Sequence, residues 1–170
     1  SVLRYAAGTA NLGLKYTRTG SWNFACFSDS DWAGDATFKS TTGYVIKLGG
    51  NLVAYKSGRQ PTVAHSSTEA ELFAATSAVK EIIFLRGLAS ELKIDLQGPT
   101  TLHVDNQSAR AIASSSASVL KRTRHIAIKV SALRDWVAEG QIVLEHVATE
   151  DNTADILTKV LPRVPFNTHQ

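Results

Sequence analysis

The order of hydrophobic patterns along this 170-residue chain constrains its fold more than any single motif does. Three strand-like segments follow one another at residues 22–28, 43–48 and 52–56, and the turns between them predict an antiparallel meander. Two further strand patterns, at 101–104 and 142–147, alternate with helical patterns instead. This order predicts an α/β domain with a mixed five-stranded sheet and helices on both of its faces.

Helical periodicity fills the segments around the last two strands. The longest helix is predicted to run from a Ser-Ser-Thr start signal at residues 66–68 to about Ser90. Shorter helices are predicted at 106–113, 122–139 and 151–161. Each strand of the second half is therefore followed by a helical segment, as mixed sheets require.

Composition limits the classes of function. Hydrophobic residues make up 44% of the chain and charged residues 19%, as in folded domains. The single cysteine, Cys26, excludes an internal disulfide and favours a reducing, intracellular setting. No apolar run approaches the roughly 18 residues of a membrane span, so we expect no membrane partner. The chain opens at Ser1 and contains no methionine, and we expect it to be a piece of a longer polypeptide.

Basic residues are concentrated in one segment, although the net charge is only +3. No acidic residue interrupts the basic series that consists of Arg110, Lys121, Arg122, Arg124, Lys129 and Arg134. Such a face suits a polyanion, and a solvated helix surface is the alternative that charge alone leaves open.

Four carboxylates stand at the ends of predicted elements. Asp29 and Asp105 close apolar strands, whereas Glu71 and Asp155 lie near the starts of helices. Each has a local alternative as a helix cap or a turn residue. Sites of α/β sheets gather outside strand ends, where a carboxylate cluster repels itself unless a divalent cation neutralises it. Oxygen ligands favour Mg²⁺ or Mn²⁺, and two such ions can promote phosphodiester hydrolysis.

Glu69 and Glu71 compete for the helical position in this cluster. Residues two apart on a helix point about 200° apart, so both cannot face the sheet. Glu71 lies above an apolar helix face, whereas Glu69 shares its side with Phe73 and Lys80. We therefore prefer Glu71, although its spacing from Thr68 also fits a capping box.

Several ordered motifs extend this pattern: SDSDWAGD at 28–35, KSTTGYV at 39–45, KSGRQPTVAHSSTEAEL at 56–72, HVDNQSA at 103–109, KRTRHI at 121–126 and EDNTADILTK at 150–159. With them the chain resembles the ribonuclease H domain of copia-type retrotransposon reverse transcriptases. The resemblance implies the ribonuclease H-like fold and hydrolysis of the RNA strand of RNA/DNA hybrids, with two Mg²⁺ or Mn²⁺ ions and 5′-phosphate products. It also implies a polymerase part of the same polyprotein as partner, and a cytoplasmic virus-like particle as location.

The resemblance also implies site residues and domain boundaries. The family's catalytic and metal-binding positions fall on Asp29, Glu71, Asp105 and Asp155. Asp31 is the poorer candidate beside Asp29, because we expect it on the other face of the strand. Residues 1–20 correspond to the end of the connection from the polymerase, 21–161 to the ribonuclease H domain and 162–170 to a tail.

Contacts with nucleic acid are expected beside the carboxylates and in the basic segment. Hybrids are recognised largely through phosphates and 2′-hydroxyls, which polar and basic side chains can contact. The predicted nucleic-acid-binding residues are Ser67, Thr68, Asn106, Gln107, Lys121, Arg122 and Arg124. The chain lacks the loop histidine that many cellular members of the family place before the last aspartate. His125 is a candidate substitute, with a phosphate contact or a core position as the favoured alternative.

Two other functions fit the same residues. One is a nucleic-acid-binding domain that kept the fold and lost the chemistry, against which the presence of all four carboxylates argues. The other is a related metal-dependent nuclease or integrase, since a fold alone does not define a substrate.

Overall fold

The computed structural model of the chain describes residues 2–34, 36–107, 124–161 and 166. The strands are β1 (Phe24–Asp31), β2 (Thr41–Leu48), β3 (Asn51–Arg59), β4 (Thr100–Val104) and β5 (Ile142–His146). The helices are α1 (Val2–Gly8), α2 (Ser67–Glu91) and α3 (Arg124–Ala138). Two short 3₁₀ helices, η1 (Thr149–Asp151) and η2 (Thr153–Leu157), follow the last strand.

The five strands form one mixed sheet in the order β3-β2-β1-β4-β5. β1 pairs antiparallel with β2, and β2 pairs antiparallel with β3. Gly49 and Gly50 connect β2 to β3 with positive φ angles of 55° and 84°, which a two-residue hairpin turn of this hand requires. β4 lies parallel to β1 on one side and to β5 on the other. The predicted sheet is therefore confirmed.

Helix α2 covers one face of the sheet. Small and aliphatic side chains of α2 pack there against alternate residues of the strands, in an apolar core that continues under α3. The fully buried members of this core include Ile46, Val79, Ile82, Leu102 and Leu133. Among the described residues, no helix combines the length and apolarity needed to cross a bilayer.

The 3₁₀ helix η2 covers the opposite face near β1 and β2. It approaches the sheet at Gly43, where a Cβ atom would lie only 2.6 Å from Cγ2 of Thr158 and 3.0 Å from Cβ of Leu157. Position 43 of β2 therefore needs glycine, because Leu157 and Thr158 pack directly on its backbone. The predicted helices on both faces are confirmed.

Two predicted helices need comment. The helix expected at 151–161 is divided, because Asn152 has an extended ψ of 97° and caps η2 through a bond from the Ala154 amide to its Oδ1. The helix expected at 106–113 falls almost wholly outside the described residues.

Candidate active site

Three carboxylates meet at one end of the sheet. One oxygen from each of Asp29, Glu71 and Asp105 lies within 4.8 Å of the others. The parallel pairing of β1 with β4 sets Ser28 opposite Val104, so the aspartates that follow these residues stand side by side. Asp29 is 1% exposed and Glu71 is 5% exposed. Burial of like charges at this spacing is costly unless a cation compensates or a carboxyl group keeps its proton.

The first turn of α2 separates the roles of its two glutamates. Ser66 is the N-cap residue, and its Oγ accepts a hydrogen bond from the Glu69 amide at 3.2 Å. Oε2 of Glu69 in turn accepts from the His65 amide at 2.8 Å. Glu69 therefore stabilises the helix start, and the capping-box alternative for Glu71 is wrong. Oε1 of Glu71 instead accepts from the amide and the hydroxyl of Ser30, at 3.2 and 2.9 Å.

Electrostatics in the cluster oppose negative charge. Burial, assisted by the charges of Asp29 and Asp105, raises the pKa of Glu71 to about 8. Burial and the charge of Asp29 also raise the pKa of Asp105. Oε2 of Glu71 is buried and has no hydrogen-bond partner among the described residues. An ion of positive charge placed here would favour the ionised forms of Glu71 and Asp105.

The segment from η2 onward brings the fourth carboxylate to the cluster together with a lysine. Nζ of Lys159 lies 3.1 Å from Oδ1 of Asp155 and 3.3 Å from each carboxylate oxygen of Asp29. The hydroxyl of Thr158 donates to Oδ2 of Asp29. Burial raises the pKa of Asp155 and the charge of Asp29 raises it further, while Lys159 opposes the shift.

Sequence reasoning missed four residues that shape this site: Ser30, Asn152, Thr158 and Lys159. Asn152 is fully buried, and its Nδ2 donates to the carbonyl of Ser28 at 3.1 Å, which fastens the last segment to β1. The spacing of four residues between Asp155 and Lys159 was a usable signal, because such pairs meet on helices. The other three contacts depend on tertiary packing and leave no local signature.

Asp31 stays outside the cluster for a different reason than expected. Residues two apart on a strand point to the same face, so the expectation that Asp31 lies on the other face from Asp29 was wrong. β1 ends at Asp31, and its carboxylate occupies the space that a side chain on Gly34 would fill. The chain turns after β1, and the Asp31 carboxylate lies beside that turn instead of in the cluster.

The predicted nucleic-acid-binding residues divide into two groups. Ser67 and Thr68 form the first turn of α2, and Asn106 and Gln107 directly follow Asp105, with Ser67 and Gln107 exposed. Lys121 and Arg122 lie outside the described residues. The side chains of Arg124 and His125 also lie outside the described part, although both residues belong to α3.

Comparisons by sequence point to retrotransposons. No protein-family model matches the chain. It is 36% identical over 166 residues to a retrovirus-related Pol polyprotein from transposon RE2 of Arabidopsis thaliana, a match covering 97% of the chain and 11% of the relative. It is 35% identical over 164 residues to the Pol polyprotein from transposon TNT 1-94 of Nicotiana tabacum, covering 90% of the chain and 12% of the relative. The chain thus spans about a tenth of these relatives.

Comparisons of structure point to one fold. LC11-RNase H1, isolated from compost by a metagenomic approach, matches with a TM-score of 0.61 at 18% identity, over 81% of this chain and 93% of that one. The PFV RNase H domain matches with a TM-score of 0.52 at 17% identity, over 82% of this chain and 93% of that one. The chain is therefore a homologue of a segment of copia-type retrotransposon Pol polyproteins, and its fold is that of ribonuclease H.

Proposed function

We propose that this chain hydrolyses the RNA strand of RNA/DNA hybrids during retrotransposon reverse transcription. The observation that supports it most is the convergence of buried Asp29, Glu71 and Asp105 at one end of a ribonuclease H-like sheet. One structural relative, LC11-RNase H1, has been solved in complex with an RNA/DNA hybrid, with a TM-score of 0.58 to this chain. The relationship to Pol polyproteins supplies the biological setting.

The donor set fits divalent metal ions. All of the converging ligands are carboxylate oxygens, which Mg²⁺ and Mn²⁺ prefer. The unpartnered Oε2 of Glu71 and the raised pKa of Asp105 are what a cation site shows without its cation. We assign one ion to Asp29, Glu71 and Asp105, and a second to Asp29 and Asp155. When bound, such ions supply an activated water and stabilise the leaving 3′ oxygen, which yields 5′-phosphate products.

The chain's own residues hold this donor set in place. Ser30 fixes one oxygen of Glu71 and leaves the other turned into the site. Thr158 orients Asp29, and Asn152 fastens the segment that carries Asp155 to the backbone of β1. Buried ligands that are already oriented lose little entropy when an ion or substrate arrives.

Substrate contacts are assigned on both sides of the carboxylates. Short polar side chains at the start of α2 and after Asp105 suit the 2′-hydroxyls and phosphates of the hybrid. These residues are Ser67, Thr68, Asn106 and Gln107. The basic residues assigned to phosphates of the DNA strand are Lys121, Arg122 and Arg124.

The setting of the domain is part of the same proposal. We assign residues 1–20 to the end of a connection from a polymerase part, 21–161 to the ribonuclease H domain and 162–170 to a tail. The polymerase part of the same polyprotein is the proposed protein partner. The proposed location of the domain is a cytoplasmic virus-like particle in which reverse transcription takes place.

Cleavage of a labelled RNA/DNA hybrid in Mg²⁺ or Mn²⁺ tests the proposal. The native chain should cut the RNA strand and leave duplex DNA intact. Asp105→Asn should lose more than about a hundredfold in rate, because it removes a charged metal ligand. Asp135→Asn is the matched control, since Asp135 is exposed on α3, and it should cleave like the native chain. Equal cleavage by Asp105→Asn, or no cleavage by a native chain that binds the hybrid, would contradict the proposal.

A further inference from the structure

The carboxylate cluster contains a cation supplied by the chain itself. The ammonium of Lys159 bridges Asp29 and Asp155, with 3.3 Å to each oxygen of Asp29 and 3.1 Å to Oδ1 of Asp155. The Lys159 side chain is 34% exposed, whereas the two aspartate side chains are 1% and 8% exposed. A half-buried lysine between two buried carboxylates therefore provides local charge neutralisation.

The two halves of the cluster differ in this respect. In the half formed by Asp29, Glu71 and Asp105, the carboxylates approach one another within 4.8 Å, and Oε2 of Glu71 is buried without a partner among the described residues. In the half formed by Asp29 and Asp155, Lys159 already contacts both carboxylates. One half thus awaits a cation and the other half holds one.

We infer that Lys159 is a positioning residue that controls whether the Asp29–Asp155 half is occupied by metal. In the metal-free protein its ammonium neutralises both aspartates, and a divalent ion enters between them only when Lys159 withdraws. The flexible aliphatic stem and the exposed fraction of Lys159 allow that withdrawal toward solvent. The inference rests on the proposed metal-dependent function, and it orders the binding: the Glu71 half fills first and the Asp155 half second.

Mn²⁺ binding, counted by calorimetry and by electron paramagnetic resonance, tests this order. The native chain should bind one ion tightly and a second one more weakly. Lys159→Met removes the competing charge and should strengthen the second site by about tenfold, and the first site by less, because Lys159 contacts only Asp29 among the ligands of that site. Lys93→Met is the matched control, because it removes the same charge from an exposed residue beyond α2, and it should bind as the native chain does.

Unfolding in EDTA provides a second measurement that involves no metal. Lys159→Met should lower the midpoint of thermal unfolding, since it leaves Asp29 and Asp155 without their counter-ion, whereas Lys93→Met should not. If Lys159→Met does not fold, Lys159→Gln removes the charge and keeps a hydrogen-bond donor, and the same binding shift is expected. Lys159→Arg keeps the charge and should retain a weak second site.

The outcomes separate this inference from the proposed function. If the native chain binds Mn²⁺ and cleaves hybrid, but Lys159→Met and Lys159→Gln leave the second site unchanged or weaker, the inference is wrong and the function stands. If the native chain binds no Mn²⁺ and cleaves no hybrid, the proposed function fails and the inference falls with it. If the second site is the tighter one in the native chain, the binding order is wrong.

Discussion

The middle of the sheet and the end of β1 and β4 bury side chains to a similar degree with opposite energetic results. Ile82 of α2 and Leu102 of β4 are fully buried in apolar contacts, which stabilise the fold. Glu71 of the same helix and Asp29 of the neighbouring strand are nearly as buried, and there the cost appears as a Glu71 pKa raised to about 8. The apolar core thus offsets the cost of the carboxylate cluster, which is unfavourable until a cation binds.

Truncation of a side chain in the apolar core should have the largest effect on stability. Ile82→Ala removes a fully buried side chain and should lower the free energy of unfolding by roughly 3 kcal/mol. Urea denaturation measures this loss. Ile128→Ala on α3 is the matched control, because Ile128 is 61% exposed, and it should cost less than about 0.5 kcal/mol.

The same variant sharpens the comparison through activity. At a temperature where Ile82→Ala remains folded, its rate of hybrid cleavage should stay within about twofold of the native rate, since the carboxylates are unchanged. A much larger loss of cleavage by an Ile82→Ala variant that is still folded would show that the apolar core and the carboxylate cluster are not separable in this way.

A change of pH should have a smaller effect on stability, and that effect should arise in the carboxylate cluster. In the metal-free protein Glu71 keeps its proton up to a pH of about 8, whereas in the unfolded chain it ionises near its ordinary pKa of 4.5. The folded state therefore binds more protons between these values, and the free energy of unfolding should fall as pH rises through this window, by roughly 1 to 3 kcal/mol. Urea denaturation in EDTA across this range measures the slope.

Two variants show where that slope originates. Glu71→Gln should flatten it, because the group that gives up its proton is gone. Glu91→Gln, at the exposed end of α2, should keep the native slope. If the free energy of unfolding of the native protein rises with pH instead, the carboxylates are stabilised in their ionised form by partners in the folded state.

Much of the fold was predictable because its signals are periodic. The three-strand meander followed by strands alternating with helices predicts a mixed sheet, and parallel neighbours necessarily bring Asp29 and Asp105 to one end. Glu71 was separable from Glu69 because the helical repeat sets the two side chains on different sides of α2. These inferences need only spacing and polarity.

The remaining features depend on contacts between distant segments. Asn152, where the expected last helix is divided, donates to the backbone of β1, and no local pattern indicates that partner. The bridge from Lys159 to Asp29 joins residues 130 positions apart, so only its shorter link to Asp155 had a signal in the sequence. Asp31 shares its strand face with Asp29, and only the turn that follows separates them.

The stability of Glu71→Gln with and without Mg²⁺ tests most directly whether the carboxylate cluster is a metal site. In EDTA at pH 8 the variant should be more stable than the native chain, since it removes a buried charge. In millimolar Mg²⁺ the native chain should gain stability and the variant should gain much less, because a ligand that binds only the folded state stabilises it more when it binds more tightly. A variant that is less stable in EDTA and responds to Mg²⁺ like the native chain would contradict this account.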